Sequence, residues 1–229
     1  MTKLIKEKVS MDPIWDKVHL GGWGKYPSES LVRFLCRYRK SELNFQRKNR
    51  ILDFGCGGGA NTRMMLAEDF DVYAVDGSKE AVRCAKRFVD SSKVKFTTID
   101  FLMVRDIFPK NYFDIVCDDV SIYSNSITNI DKILLVVFEI MKKGGLFYSS
   151  CFSTKTLGFG LGEKLESGTY RNINRGSFKN RGVAHFYTEK ELRRVYEKYF
   201  KVESLDTEEY TDFNRKNRIS KFILICRKK

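Results

Sequence analysis

The chain is poor in the residue type that most often moves protons near neutrality: it has two histidines, His19 and His185, in 229 residues. Any imidazole base must be one of these two. It also lacks an apolar run approaching the roughly 20 residues that cross a bilayer. The opening "MTKLIKEKVSMDP" is basic with no apolar stretch behind it, so no secretory signal is expected and the reading is cytoplasmic, with no membrane span. Six cysteines, Cys36, Cys56, Cys84, Cys117, Cys151 and Cys226, stand singly with no C-x-x-C pair, which argues against a zinc knuckle or redox motif and for free thiols. Acidic residues are scarce relative to basic ones, 29 against 42, leaving a net charge of +13. A polyanionic partner would want those cations gathered on one face. They are spread along the whole chain, which favours a solvated basic surface over a nucleic-acid partner.

What is abundant is material to bury: 42% hydrophobic residues, with 18 Phe and 11 Tyr, exclude a disordered chain. The length suits one α/β domain, residues 1–229, with embellishments. After a basic tail, "MDPIWDKVHL" predicts a short helix that "GGWGKYP" breaks, and "SESLVRFLCRYRK" predicts an amphipathic helix with Ser28 as N-cap. This N-terminal helical segment spans residues 1–40. Strand-like runs then recur at "RILDFG", "FDVYAVD", "KVKFTTID", "YFDIVCD" and "GLFYSSCF", with helical segments between them. The clearest helix, "NIDKILLVVFEIMKK", is expected to end in a cationic turn stopped by Gly144. Strands apolar throughout and alternating with helices define a doubly wound, mostly parallel sheet. The alternation then stops. A capping box at Thr188 and Glu191 opens one more helix, and "KVESLD" and "SKFILICRK" read as antiparallel neighbours. Residues 153–187, Gly- and Asn-rich with no clear period, are too long for an ordinary connection and read as an inserted lid or substrate loop.

The stretch "ILDFGCGGGANT", residues 51–62, places a nearly bare backbone behind the first strand. Gly55 and Gly57 let a ligand approach the main chain, and Ala60 lets the next helix pack closely. That spacing alone is a weak signal. Asp76 strengthens it, ending the next strand where a carboxylate can accept hydrogen bonds from both hydroxyls of a ribose. An adenosine-containing cofactor is expected. Asp53 distinguishes among such cofactors: two like charges about 4 Å apart repel by about 4 kcal/mol at an effective dielectric near 20, so a carboxylate suits a pyrophosphate poorly. It suits the ammonium and sulfonium of S-adenosylmethionine.

These residues resemble the first motif of class I S-adenosylmethionine-dependent methyltransferases, and the resemblance continues over residues 50–152. It implies a Rossmann-like seven-stranded sheet with an antiparallel C-terminal strand. It also implies that Asp76 holds the ribose with Gly77 beside it, that Asp100 in "TTID" holds the adenine amino group with Phe101 stacking nearby, and that Asp53, Gly55, Cys56 and Gly57 flank the methionine end. Asp118 in "YFDIVCDD" is expected to touch the methionine part of the cofactor. The product would be S-adenosyl-L-homocysteine. The leading segment "WDKVHLGGWGKYPSESLVRF" is similar to that of some bacterial small-molecule methyltransferases.

For the chemistry, His185 is the candidate general base because it borders the long loop; ordinary packing is its alternative role. Tyr26 and Tyr123 are the candidate acceptor-pocket residues. Family members that methylate amino groups on bases or glutamine carry a Pro-Pro-aromatic turn after the fourth strand, where this chain reads "DDVSIY". Cys117 lies inside a strand and so does not suit cytosine C5 chemistry. Asp118 and Asp119 point to opposite faces, which argues against a metal site. "GFGLGEK" lacks the Lys-Ser/Thr ending of a phosphate loop. The expected function is methyl transfer to a small molecule, such as a sugar or other metabolite. A nucleic-acid or protein methyltransferase, and a non-catalytic S-adenosylmethionine-binding module, stand as alternatives. Oligomeric state is left open.

Overall fold

The computed structural model describes residues 10–22, 24–41 and 48–229. The first nine residues of the expected N-terminal segment lie outside the described residues. Two helices, α1 (Ile14–Leu20) and α2 (Glu29–Ser41), precede β1 (Arg50–Phe54). The alternation follows as expected: α3 (Ala60–Ala67), β2 (Asp71–Asp76), α4 (Lys79–Phe88), β3 (Val94–Thr98), a 3₁₀ turn and α5 (Val104–Ile107), β4 (Phe113–Asp119), α6 (Ile127–Ile140) and β5 (Met141–Phe152). After an insertion come α7 (Glu189–Tyr196), β10 (Phe200–Asp212) and β11 (Asn217–Lys228). The seven-stranded sheet runs β10-β11-β5-β4-β1-β2-β3. Strands β1 to β5 pair in parallel, and β11 is antiparallel to both β5 and β10.

The strands are apolar throughout because both faces are covered. Along β1, Ile51 joins one buried cluster with Leu31, Met65, Val82 and Tyr148, while Leu52 and Phe54 join the other with Ile130, Leu134, Phe147 and Tyr196. Helices α2, α3 and α4 therefore cover one face, and α5, α6 and α7 the other. Each of these fully buried side chains contributes about 1.5–3 kcal/mol.

Two expected boundaries move. Helix α6 ends at Ile140, and Met141 already has extended backbone, so Lys142 and Lys143 belong to β5 and not to a last helical turn. Lys142 instead reaches Asp114 at 2.8 Å across the strand irregularity. The stretch 153–187 is folded: β6 (Leu157–Gly160), β7 (Glu163–Glu166), β8 (Thr169–Arg171) and β9 (Ala184–His185), of which β7, β8 and β9 form a small antiparallel sheet. Strands of two to four residues are too short to show a period. The Thr188 cap forms, its hydroxyl accepting from the Glu191 amide at 3.3 Å.

Candidate active site

At the C-terminal edge of the parallel strands the loop after β1 folds back over β2, with the Gly55 and Cys56 amides both donating to Val75 O at 2.8 and 3.0 Å. Gly55 has a φ of +87°, and a Cβ there would lie 2.3 Å from the Cβ and Oγ of Ser121. Only glycine fits both demands. The Gly57 amide donates to Asp76 Oδ2 at 2.9 Å and the Ser78 amide to Asp76 Oδ1 at 2.8 Å, so the loop and the carboxylate form one unit. Burial pushes the Asp76 carboxyl up to about 6 despite those bonds.

A pocket of about 260 Å³ opens over this unit. Gly55, Cys56, Gly57, Asp76, Gly77 and Phe101 line one end of it, together with Asn61 and Asp119. Trp15, His19, Tyr123, Asn125 and Arg181 also line it, and Tyr26, 90% exposed, stands at its mouth. Tyr123 is buried against Phe152 and Phe178, and its hydroxyl is pushed up to about 12 by desolvation.

Four of the expected site residues do not line this pocket. The Asp53 side chain is buried behind the loop, accepting from Thr62 Oγ1 at 2.5 Å, and desolvation raises its carboxyl to about 7. It braces the start of α3 and does not line the pocket. Asp118, fully buried, accepts from the Ser121 and Ile122 amides at 3.0 Å each and from Ser149 Oγ at 2.8 Å, capping the turn after β4. Strand alternation sends its neighbour Asp119 the other way, into the pocket. Asp100 is covered by the N-terminal segment: Ser10 N, Ser10 Oγ, Met11 N and Leu102 N all donate to it within 3.0 Å.

The fourth residue outside the pocket lining is His185. It sits fully buried in β9, with Nδ1 2.7 Å from Thr169 Oγ1 and Nε2 3.5 Å from Glu191 Oε2. Desolvation lowers it to about 4, so it is neutral and walled off from the pocket. The pocket's imidazole is His19, on α1, held below its usual value first by burial and then by the charge of Arg181, against the pull of Asp16.

Sequence reasoning missed Asn61 and Asp119. Asn61 donates to Asp119 Oδ2 at 3.1 Å and accepts from the Ser28 amide at 3.1 Å, while Ser150 Oγ donates to Asp119 Oδ1 at 2.8 Å. The alternation rule already separated Asp118 from Asp119; which face turns to the pocket depends on how the sheet is covered.

The roof is residues 10–20. Trp15 Nε1 donates to Ser124 Oγ at 3.0 Å, Asp16 accepts from Ser78 Oγ at 2.6 Å, and Met11 fills the space a Gly77 side chain would occupy. The donor set fits S-adenosylmethionine. Carboxylates of Asp76 and Asp119 line the pocket, and among the described residues Arg181 is the one Lys or Arg on its walls. A pyrophosphate would meet like charge there, whereas an ammonium and a sulfonium meet opposite charge.

A glycine loop over β2, an acid closing β2 and a 3-2-1-4-5 parallel order extended by an antiparallel strand define a nucleoside-binding α/β enzyme fold. The chain belongs to the methyltransferase domain family, which its residues 45–199 match. It is a methyltransferase domain of the S-adenosylmethionine-dependent class, with that cofactor. A solved S-adenosylmethionine-dependent methyltransferase from Methanosarcina mazei shares the fold with a TM-score of 0.70 at 21% identity, over 89% of this chain and 98% of that one. The 1,6-didemethyltoxoflavin-N1-methyltransferase of Burkholderia thailandensis, solved with 1,6-didemethyltoxoflavin and S-adenosylhomocysteine, does so with a TM-score of 0.64 at 16% identity, over 97% and 92%. The ubiquinone biosynthesis O-methyltransferase of Rickettsia prowazekii (strain Madrid E) is 25% identical over 115 residues, 50% of this chain and 44% of that protein. The chain spans about half the length of the curated relatives it matches. Among the described residues no helix is long and apolar enough to cross a membrane.

Proposed function

We propose that this chain transfers the methyl group of S-adenosylmethionine to a small molecule bound beneath the α1 roof. The observation that carries this reading is that one pocket joins the glycine loop and Asp76 to a group of Trp15, His19, Tyr123 and Asn125, in a volume of about 260 Å³. That space, closed by residues 10–20 and the folded insertion, suits a metabolite-sized acceptor.

When bound, the cofactor supplies a methyl group made electrophilic by the sulfonium. The chain's own residues hold and orient. Asp76 accepts from the ribose hydroxyls, and the backbone at Gly55 and Gly57 admits the methionine part. Asp119, fixed by Asn61 and Ser150, offers a carboxylate to the cationic end. Phe101, tilted 37° against Phe54 with centroids 4.5 Å apart, gives an apolar wall. Trp15, Tyr123 and Phe152 present aromatic surface to the acceptor and exclude water. His19, neutral at pH 7 because burial lowers its basicity, takes the acceptor proton where the acceptor is a hydroxyl. A cyclic or aromatic acceptor is supported by the named substrate of the Burkholderia relative. The experiment is to incubate the chain with S-adenosylmethionine and a fractionated metabolite extract, following S-adenosylhomocysteine by mass spectrometry. Production in one fraction supports the reading; cofactor binding with no turnover in any fraction favours a non-catalytic module.

A further inference from the structure

The sequence scatters its cations, but the fold gathers five of them around a second, open cleft. Lys155 comes from the turn after β5, Arg175 from the loop just before a 3₁₀ turn at Gly176–Phe178, and Arg215, Lys216 and Arg218 from the β10–β11 hairpin. The cleft measures about 330 Å³, and no acidic residue lines it. Glu209 partners Lys155 at 3.5 Å and Arg218 at 2.8 Å; Arg175, Arg215 and Lys216 make no ion pair among the described residues. Elsewhere on the surface Arg171, Arg193, Lys198, Lys221 and Arg227 each have a carboxylate within 4.0 Å.

The cleft is built by bonds between the three segments. Ser220 N donates to Thr156 Oγ1 at 2.9 Å and Thr156 Oγ1 to Ser220 O at 2.6 Å, and Asn217 Nδ2 donates to Ser177 Oγ at 3.4 Å. Gly176, at φ +63°, lies so close to Asn217 and Leu157 that a Cβ would come within 3.3 Å of both. The hairpin tip turns through three successive left-handed residues, Phe213, Asn214 and Arg215, at φ between 51° and 65°. Such a conformation is disfavoured for side chains like those of Phe and Arg. Two aromatic rings accompany the cations: Phe159, 40% exposed, on the cleft wall, and Phe213, 78% exposed, at the tip.

We infer that this cleft and hairpin tip bind the phosphodiester backbone of single-stranded nucleic acid, with Arg175, Arg215 and Lys216 meeting phosphates and Phe159 and Phe213 stacking on unpaired bases. Unpartnered cations beside exposed aromatic faces are what a single strand requires, since every base offers a ring face and every linkage a charge. A free phosphate would use the cations and leave the rings idle. The site is separate from the methyl-transfer pocket. Phe178 stands between them, packing on Phe152 and Tyr123 on one side and against Gly158 on the other.

The test is fluorescence anisotropy of the full chain with a labelled 12-nucleotide oligouridylate at 50 to 200 mM KCl. The site predicts salt-sensitive binding that R215A/K216A weakens at least tenfold, with the slope of log affinity against log salt shallower by about 1.4, two contacts at about 0.7 each. F213A is expected to weaken binding severalfold at unchanged slope. K86A/R87A, on α4 against β2 and β3 at the other end of the sheet from β10, is expected to leave it unchanged. Inorganic pyrophosphate at matched phosphate concentration is expected to compete at least tenfold less well than unlabelled oligonucleotide. No binding at 50 mM KCl, equal loss in K86A/R87A, equal competition by pyrophosphate, or capture by phosphatidylserine vesicles without oligonucleotide binding would each overturn it. S-adenosylhomocysteine affinity, measured in the same variants, reports on the pocket independently.

Discussion

Asp100 receives both the amide and the hydroxyl of Ser10, at 2.7 and 2.9 Å, so the acid at the end of the β3 segment is held by the chain's own N-terminal strap. The Met11 and Leu102 amides complete its shell. The carboxylate expected to meet adenine therefore anchors the roof, and Met11 supplies the apolar contact beside Gly77.

Asp100→Ala is expected to free that strap. The orphaned Ser10 and Met11 donors are each worth about 1 to 3 kcal/mol when left unpaired in partly buried surroundings. Limited trypsinolysis followed by mass spectrometry should show cleavage after Lys17 accelerated at least tenfold, with the α/β core intact. Unchanged cleavage would mean that the strap is held by its other contacts alone.

The Gly55 backbone and the Ser121 side chain leave no room for a methyl group. Gly55→Ala, which demands a left-handed alanine as well as displacement of Ser121, should cost at least about 3 kcal/mol by urea unfolding. It should also remove cofactor binding. A folded Gly55→Ala variant with normal affinity would contradict the packing described.

Asp53 makes stability depend on pH in the sense opposite to a salt-bridged acid. Its carboxyl rises from 3.8 to about 7 in the folded chain, so between those values the native state holds more protons than the unfolded one. Its contribution is therefore fully present below pH 3.8 and is lost as pH rises from there through 7. Asp53→Asn, which keeps an acceptor for Thr62, should leave urea stability near wild type at pH 4 and gain about 2 to 4 kcal/mol relative to wild type at pH 8. An equal effect at both pH values would refute this.

His19 and His185 should separate cleanly. His19→Gln is expected to lower turnover of a hydroxyl acceptor at least tenfold with S-adenosylhomocysteine affinity within about twofold. His185→Gln should lower thermal stability at pH 7.5 through loss of the buried Thr169 bond, with affinity unchanged. Because His185 is held near 4 while the unfolded imidazole titrates near 6.5, wild type loses this contribution as pH falls from 6.5 to 4. The stability gap between wild type and His185→Gln should therefore narrow on acidification.

The parallel core was legible because β1, β2 and β4 are apolar on both faces and end at glycine or acid, signals that survive without tertiary information. Gly55, Gly57 and Asp76 were legible for the same reason: spacing along one chain segment brings them together. Asp53, Asp118 and His185 were not, because orientation across a sheet and burial beneath an insertion depend on distant partners, Thr62, Ser149 and Thr169. The role of α1 was hidden too. Nothing local to "MDPIWDKVHL" says that its Trp15 and His19 line the pocket. The insertion's strands are shorter than any period that could announce them.

The central claim is that the Gly57–Asp76 unit binds the nucleoside of a phosphate-free, cationic cofactor. Isothermal titration of S-adenosylhomocysteine into wild type and Asp76→Ala, with circular dichroism to confirm folding and NADH as the competing ligand, tests it most directly. The account predicts micromolar binding to wild type, at least about 30-fold weaker binding to a folded Asp76→Ala, and no heat from NADH. Unchanged affinity in that variant, or tight NADH binding without S-adenosylhomocysteine binding, would contradict it.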